Sequence, residues 1–236
     1  RFVFDVSTLP AALLATEAAW PVLGNLYGRL AGDSVGVVTG IGRSPGEDRL
    51  KAFGAAAASS GAVGLFHIAG ITPEAATTEA ALGGLPAQET FRITPAMARE
   101  ALGRLSTAEN PERIDAVAIG SPHLSADEFA ELERLLAGRR TAVPIYACTG
   151  RHALAGLEKT GARQRLEALG VIVVSDTCIV VTPILPELKN GILMTNSGKF
   201  AHYAPGNTGY AVVYGMLADC VESAIMGKPI ITESLL

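Results

Sequence analysis

IDAVAIGSPHLSADEFAELERLLAGRRTAVPIYACTGRHALAGLEKTGARQRLEALGVIVV, residues 114–174, decides the fold. Three short apolar runs (114–119, 142–147 and 171–174) are separated by two stretches with helical periodicity. Ser125 stands at the head of the first stretch, with Asp127 and Glu128 in its opening turn, where the macrodipole favours negative charge. That helix is expected to run through Ala137, and the second from Arg151 to Leu169. Strands that alternate with helices build a parallel sheet, because a parallel pair needs a crossover connection. The runs show little polar alternation, as befits strands buried on both faces.

The same alternation extends in both directions. Upstream, 10–30 reads as helix, 34–39 (SVGVVT) as strand, and 48–60 as a helix capped by Asp48. Residues 61–68 (GAVGLFHI) read as strand, and Thr72 opens a further helix with Pro73 at its first position. Gly-Gly-Leu-Pro at 83–86 is the expected boundary, dividing the chain into 1–86 and 87–236. Thr94-Pro95 cap a helix through Leu105. Beyond Val174 come a polar loop, strands at 192–195 and 211–214, and a helix at 217–226. The expectation is a three-layer α/β/α protein with mainly parallel sheets and two sub-domains.

Composition narrows the function classes. The 236 residues are 49% hydrophobic, yet Gly, Pro or charge interrupts every apolar run before the length that a membrane span needs. The formal charge is −4 and no Lys/Arg cluster exists, so a nucleic-acid partner lacks its basic face. Three Cys at long spacing form no disulfide framework and point to a reducing, cytoplasmic setting. The first residue is Arg, so the chain reads as a processed or truncated piece.

Ligands of parallel sheets gather outside the carboxyl ends of the strands. There this chain carries His67, Gly120-Ser121-Pro122-His123, Cys148, Ser175-Asp176-Thr177-Cys178 and Asn196-Ser197-Gly198-Lys199. His67, inside an apolar run, reads as a hydrogen-bonded core histidine. His123 serves equally as a site residue or as trim on the following helix. Ser197 and Lys199 are expected in a loop, with Lys199 placed to hold an anionic substrate group; spacing alone does not decide whether His202 and Tyr203 are packing residues that anchor that loop. Cys178 and Cys220, about forty residues apart with no CxxC, favour inert buried thiols on spacing alone. Spacing leaves Cys148 equally open.

The runs LKAFGAAAASSGAVGLFHIAGITPEA (50–75), GSPHLS (120–125), SDTCIVV (175–181), TNSGKFAHYAPG (195–206) and DCVESAIMGKP (219–229) together resemble the large-subunit sequence of the aconitase X family. The resemblance spans nearly the whole chain in order. It implies an iron–sulfur hydro-lyase with an aconitase-like α/β architecture, incomplete in 1–86 and carrying the cluster cysteines in 87–236. It assigns Cys178 and Cys220 to a [4Fe-4S] or [2Fe-2S] cluster, with a third ligand in an upstream large-domain segment, and leaves Cys148 structural. It also implies a small swivelling domain or subunit that supplies the general base, a serine alkoxide, so no base is assigned here. Ser197, Lys199 and His123 are then expected to bind a small hydroxy-acid substrate. The favoured substrate is cis-3-hydroxy-L-proline, giving Δ1-pyrroline-2-carboxylate. The alternatives are mevalonate 5-phosphate, or a non-catalytic scaffold or regulatory subunit of a split family member.

Overall fold

Two parallel sheets organise the chain in a computed structural model that describes residues 1–232. They belong to two compact units, Arg1–Arg104 and a second from Leu105 onward.

The first unit runs β1 (Phe2–Asp5), α1 (Ala11–Leu14), α2 (Ala19–Ala31), β2 (Gly36–Thr39), α3 (Glu47–Ser60), β3 (His67–Ile68), α4 (Thr78–Ala81), β4 (Glu89–Arg92) and α5 (Pro95–Gly103). Its sheet has the order β3-β2-β1-β4. Phe2 and Phe4 share one face of β1, and Tyr27 of α2 packs against both rings at 5.1 and 5.4 Å. On α2, Gly24 and Gly28 let α3 approach so closely that a Cβ on either would strike the carbonyls of Phe53 or Ala57. Burial of this aromatic cluster stabilises the unit.

Several expectations shift here. The helix read at 10–30 divides, because residues 15–18 form a turn. Gly46, not Asp48, is the N-cap of α3, and Asp48 sits in the first turn, where it accepts from Lys51 at 2.8 Å. The strand read at 61–68 shrinks to His67–Ile68. Thr72-Pro73 opens no helix: the Thr72 hydroxyl accepts from the Ile68 amide at 3.0 Å and closes a turn, and the helix that follows is capped by Thr77 instead. The break at 83–86 lies within the first unit, since β4 beyond it pairs with β1 from Phe2↔Glu89 to Asp5↔Arg92. The division falls after Arg104.

The second unit runs β5 (Ala116–Leu124), α6 (Ala126–Leu136), β6 (Ile145–Thr149), α7 (Arg151–Thr160), α8 (Ala162–Ala168), β7 (Val171–Ser175), β8 (Ile192–Thr195), α9 (Gly198–Thr208), β9 (Ala211–Tyr214) and α10 (Leu217–Met226). All pairings are parallel in the order β7-β6-β5-β8-β9. Ser125 and Glu128 form a reciprocal capping box at 3.1 and 2.8 Å. The amphipathic face of α6 buries Phe129, Leu132 and Leu136 on Val117, Ile119 and the α10 residues Leu217 and Val221. Each such side chain contributes roughly 1.5–3 kcal/mol. Gly161, at φ +70°, splits the helix read at 151–169 into two.

The expected loop around Lys199 is a helix: Ser197 caps α9, and its Oγ accepts from the Phe200 amide at 2.9 Å. No helix among the described residues is long and apolar enough to cross a membrane.

Candidate functional site at the carboxyl edge of the second sheet

The central strand β5 outlasts its ladder. Its register with β6 slips between Ile119 and Leu124, so 120–123 bulge outward at the carboxyl end. Gly120, at φ +87°, has no room for a Cβ against the Cys148 carbonyl, which presses this backbone onto β6. Thr149 of β6 ties the same corner by donating to the Leu124 carbonyl at 2.8 Å.

Two groups of predicted residues gather on either side of this bulge. On the β6–β7 side, His123 Nε2 lies 3.2 Å from the Thr177 carbonyl, beside Cys178. Asp176 accepts from the Arg151 amide at 3.0 Å and from its guanidinium at 2.7 Å. The Arg151 amide, then the guanidinium and more weakly His123, hold the Asp176 carboxyl below its usual range. On the β8 side, the Ser197 hydroxyl donates to the Ser121 carbonyl. The Ser197 amide donates to Thr195 Oγ1 at 3.1 Å. Ser197 is buried and Lys199, in the first turn of α9, is half-buried. Ser121 is 5% exposed, and its Oγ has no hydrogen-bond partner.

The three thiols occupy unlike settings. Cys178 is half-exposed on the loop after β7. Cys148 on β6 is buried, and burial pushes its thiol up to about 11, with the neighbouring Cys178 adding to the rise. Cys220 is fully buried one turn into α10, in the same apolar cluster as Met194, Leu217 and Val221. No group of three or more His, Cys, Asp or Glu among the described residues is arranged to hold a metal.

Soft thiolate donors are the right chemistry for an iron–sulfur group, so Cys178 and Cys220 fit it in kind. The three described thiols are not grouped to close one on their own.

Other predicted residues lie elsewhere. His67 is buried in the first unit, but its Nδ1 has no partner, so the hydrogen-bonded core reading fails at that atom. His202 and Tyr203 stack edge-to-face at 4.9 Å on the exposed side of α9. A cavity of about 400 Å³ lined by Val181, Pro183, Pro186, Thr208 and Tyr210 adjoins the 179–187 loop and touches none of the predicted site residues.

The sequence signal for Ser121 is the GSPH run, polar and Pro-containing, directly after the apolar stretch 116–119.

Parallel sheets whose carboxyl-end loops carry thiol, hydroxyl, imidazole and ammonium groups define an α/β protein of the ligand-binding, strand-end type. Family models sharpen that class. The aconitase X second domain matches residues 1–103, and the aconitase X third domain matches residues 114–226. This chain belongs to the aconitase X family.

It is 41% identical over 217 residues to a cis-3-hydroxy-L-proline dehydratase of Pseudomonas aeruginosa, covering 90% of this chain and 37% of that protein. It is 36% identical over 192 residues to a phosphomevalonate dehydratase large subunit of Methanothermobacter thermautotrophicus, covering 81% of this chain and 46% of that subunit. The crystal structure of Thermococcus kodakaraensis aconitase X in its holo-form superposes with a TM-score of 0.80 at 25% identity, over 94% of this chain and 54% of that one. The chain thus spans about half or less of the length of these relatives.

Proposed function

We propose that this chain contributes the strand-end site of an iron–sulfur hydro-lyase that dehydrates a β-hydroxy acid, with cis-3-hydroxy-L-proline as substrate and Δ1-pyrroline-2-carboxylate as product. The observation that carries the reading is the first turn of α9. It holds Lys199, no acidic residue and a buried Ser197 cap. A lysine there opposes the macrodipole, and Lys199 has no ion-pair partner among the described residues. An anion seated on the open amides of the turn removes the conflict, and a substrate carboxylate is such an anion. The 41% identity to a cis-3-hydroxy-L-proline dehydratase supports that substrate over mevalonate 5-phosphate. A phosphate would call for further cations, and Lys199 is the only basic residue in that turn.

In this reading Lys199 and the α9 amides fix the carboxylate, and His123 lines the opposite flank of the bulge, tethered to Thr177. When bound, an iron–sulfur cluster supplies Lewis-acid assistance to departure of the hydroxyl. Cys178 and Cys220 hold it, with a further thiolate from a segment beyond this chain, and the general base comes from a small swivelling domain. Three free thiols among the described residues support a cytoplasmic setting.

The test is iron and acid-labile sulfide content, with visible absorbance, of full-length protein prepared anaerobically. Wild type should carry both, and Cys178→Ser and Cys220→Ser should each lose most of them. Undiminished iron in both variants would refute the ligand assignment, and iron-free wild type would favour a non-catalytic subunit.

A further inference from the structure

We infer that Ser121 is a substrate-binding residue whose hydroxyl donates to the anionic group seated at the first turn of α9. The inference rests on the dehydratase reading and adds a donor that the family resemblance did not single out. Buried hydroxyls normally find partners, because a desolvated donor without an acceptor loses its water for nothing. The other buried serines and threonines of the chain obey this rule. Ser59 donates to Ala56, Thr149 to Leu124 and Ser223 to Ile230, while Thr195 accepts from Ser197 and Ser197 serves both Ser121 and Phe200. Ser121, at 5% exposure, is the exception.

Its place in the fold explains the exception. The bulge of β5 carries Ser121 out of the ladder at the carboxyl end of the central strand. The close approach of Gly120 to the Cys148 carbonyl fixes the backbone immediately before it. The bond from Ser197 to the Ser121 carbonyl docks Ser121 against the cap of an 11-residue helix.

The Phe200 amide is satisfied by the cap, while the amides of Gly198 and Lys199 precede the first intrahelical bond. Through the bond to Ser197, Ser121 stands beside a turn that offers two amides and one ammonium and holds no carboxylate side chain. A substrate carboxylate, with about four acceptor sites on two oxygens, matches that donor set.

Ser121→Ala in the full-length, cluster-loaded protein tests the inference. Three readouts apply: melting temperature, calorimetric affinity for pyrrole-2-carboxylate as a non-reacting carboxylate probe, and KM and kcat with cis-3-hydroxy-L-proline. The melting temperature should hold or rise, because no bond is lost. Probe affinity should fall on the order of 10- to 100-fold, the range for a hydrogen bond to a charged acceptor, and KM should rise in step. Ser121→Cys, which keeps the volume and weakens the donor, should shift affinity in the same direction.

Unchanged probe affinity in both variants, with or without a drop in melting temperature, overturns the inference and leaves Ser121 a packing or water-binding residue. Failure of wild type to turn over cis-3-hydroxy-L-proline, with probe binding still dependent on Ser121, sinks the substrate reading and leaves the anion site standing. Absence of probe binding by wild type overturns the site itself.

Discussion

Replacing Lys199 with Gln should make the protein more stable and a worse enzyme at once. Gln and Lys have nearly equal helix propensity, so backbone preference drops out of the comparison. What remains is removal of a cation from the positive end of α9, where no acidic residue offsets it. Such a charge at a helix terminus is worth about 0.3–1 kcal/mol, and Lys199 is only half-buried, so the gain belongs in that range.

For a unit of this size that gain is a rise in melting temperature of roughly 1–4 °C. The assay is differential scanning calorimetry of ligand-free protein at low and high salt, and the rise should shrink as salt screens the dipole. The cost appears in binding. Losing a charge-assisted contact to the carboxylate, about 1.5–3 kcal/mol, should raise KM for the hydroxy acid by roughly one to two orders of magnitude. A stability loss above about 1 kcal/mol means that Lys199 holds the fold instead. Unchanged KM means that no anion sits at this turn. Either result refutes the reasoning.

Two further outcomes follow from the packing. Gly120→Ala places a side chain at φ +87° against the Cys148 backbone and should cost about 3 kcal/mol in denaturant unfolding; a cost under about 1 kcal/mol would show that the bulge is pliable. Burial pushes the Tyr27 phenol up to about 12 against about 10 in the unfolded chain, although the Gly36 amide bonds it. The folded state thus disfavours the phenolate. The Tyr27 contribution to stability should be intact below pH 10 and fall by roughly 2–3 kcal/mol as pH rises to 12, beyond the loss from the buried Cys148 thiol that begins near pH 9. Tyr27→Phe should lose that share of the alkaline destabilisation, and keep the share from Cys148 and Tyr210, in a pH series of unfolding midpoints.

The second unit was readable because its strands are buried on both faces and its helices are capped by sequence-visible devices, above all Ser125 with Glu128. The first unit was less so. Phe2–Asp5 is only four residues long with a charge at its end, and Glu89–Arg92 lies at the sheet edge, exposed at three of four positions, so neither reads as a buried strand. The helix after Ser197 was hidden by Gly198, Pro205 and Gly206, residues that argue against helix locally and are tolerated where Phe200, Ala201 and Ala204 bury its inner face. At the site, strand-end placement drew attention to His123, Ser197, Lys199 and Cys178. The pairing of Ser121 with Ser197 joins residues 76 positions apart and had no local signature. Nothing in spacing distinguished Cys220, wholly inside the core, from an inert thiol; only the family motif did so.

The central claim is dehydration of a cyclic β-hydroxy acid, and its most direct test is product formation. Full-length protein, reconstituted anaerobically with iron and sulfide and supplied with any small subunit it requires, should convert cis-3-hydroxy-L-proline into Δ1-pyrroline-2-carboxylate with loss of one water per turnover, measured by coupled reduction of the imine to proline. Absence of that product from cluster-loaded protein that does dehydrate mevalonate 5-phosphate would contradict the substrate assignment. Absence of dehydration of either substrate would contradict the enzymatic reading.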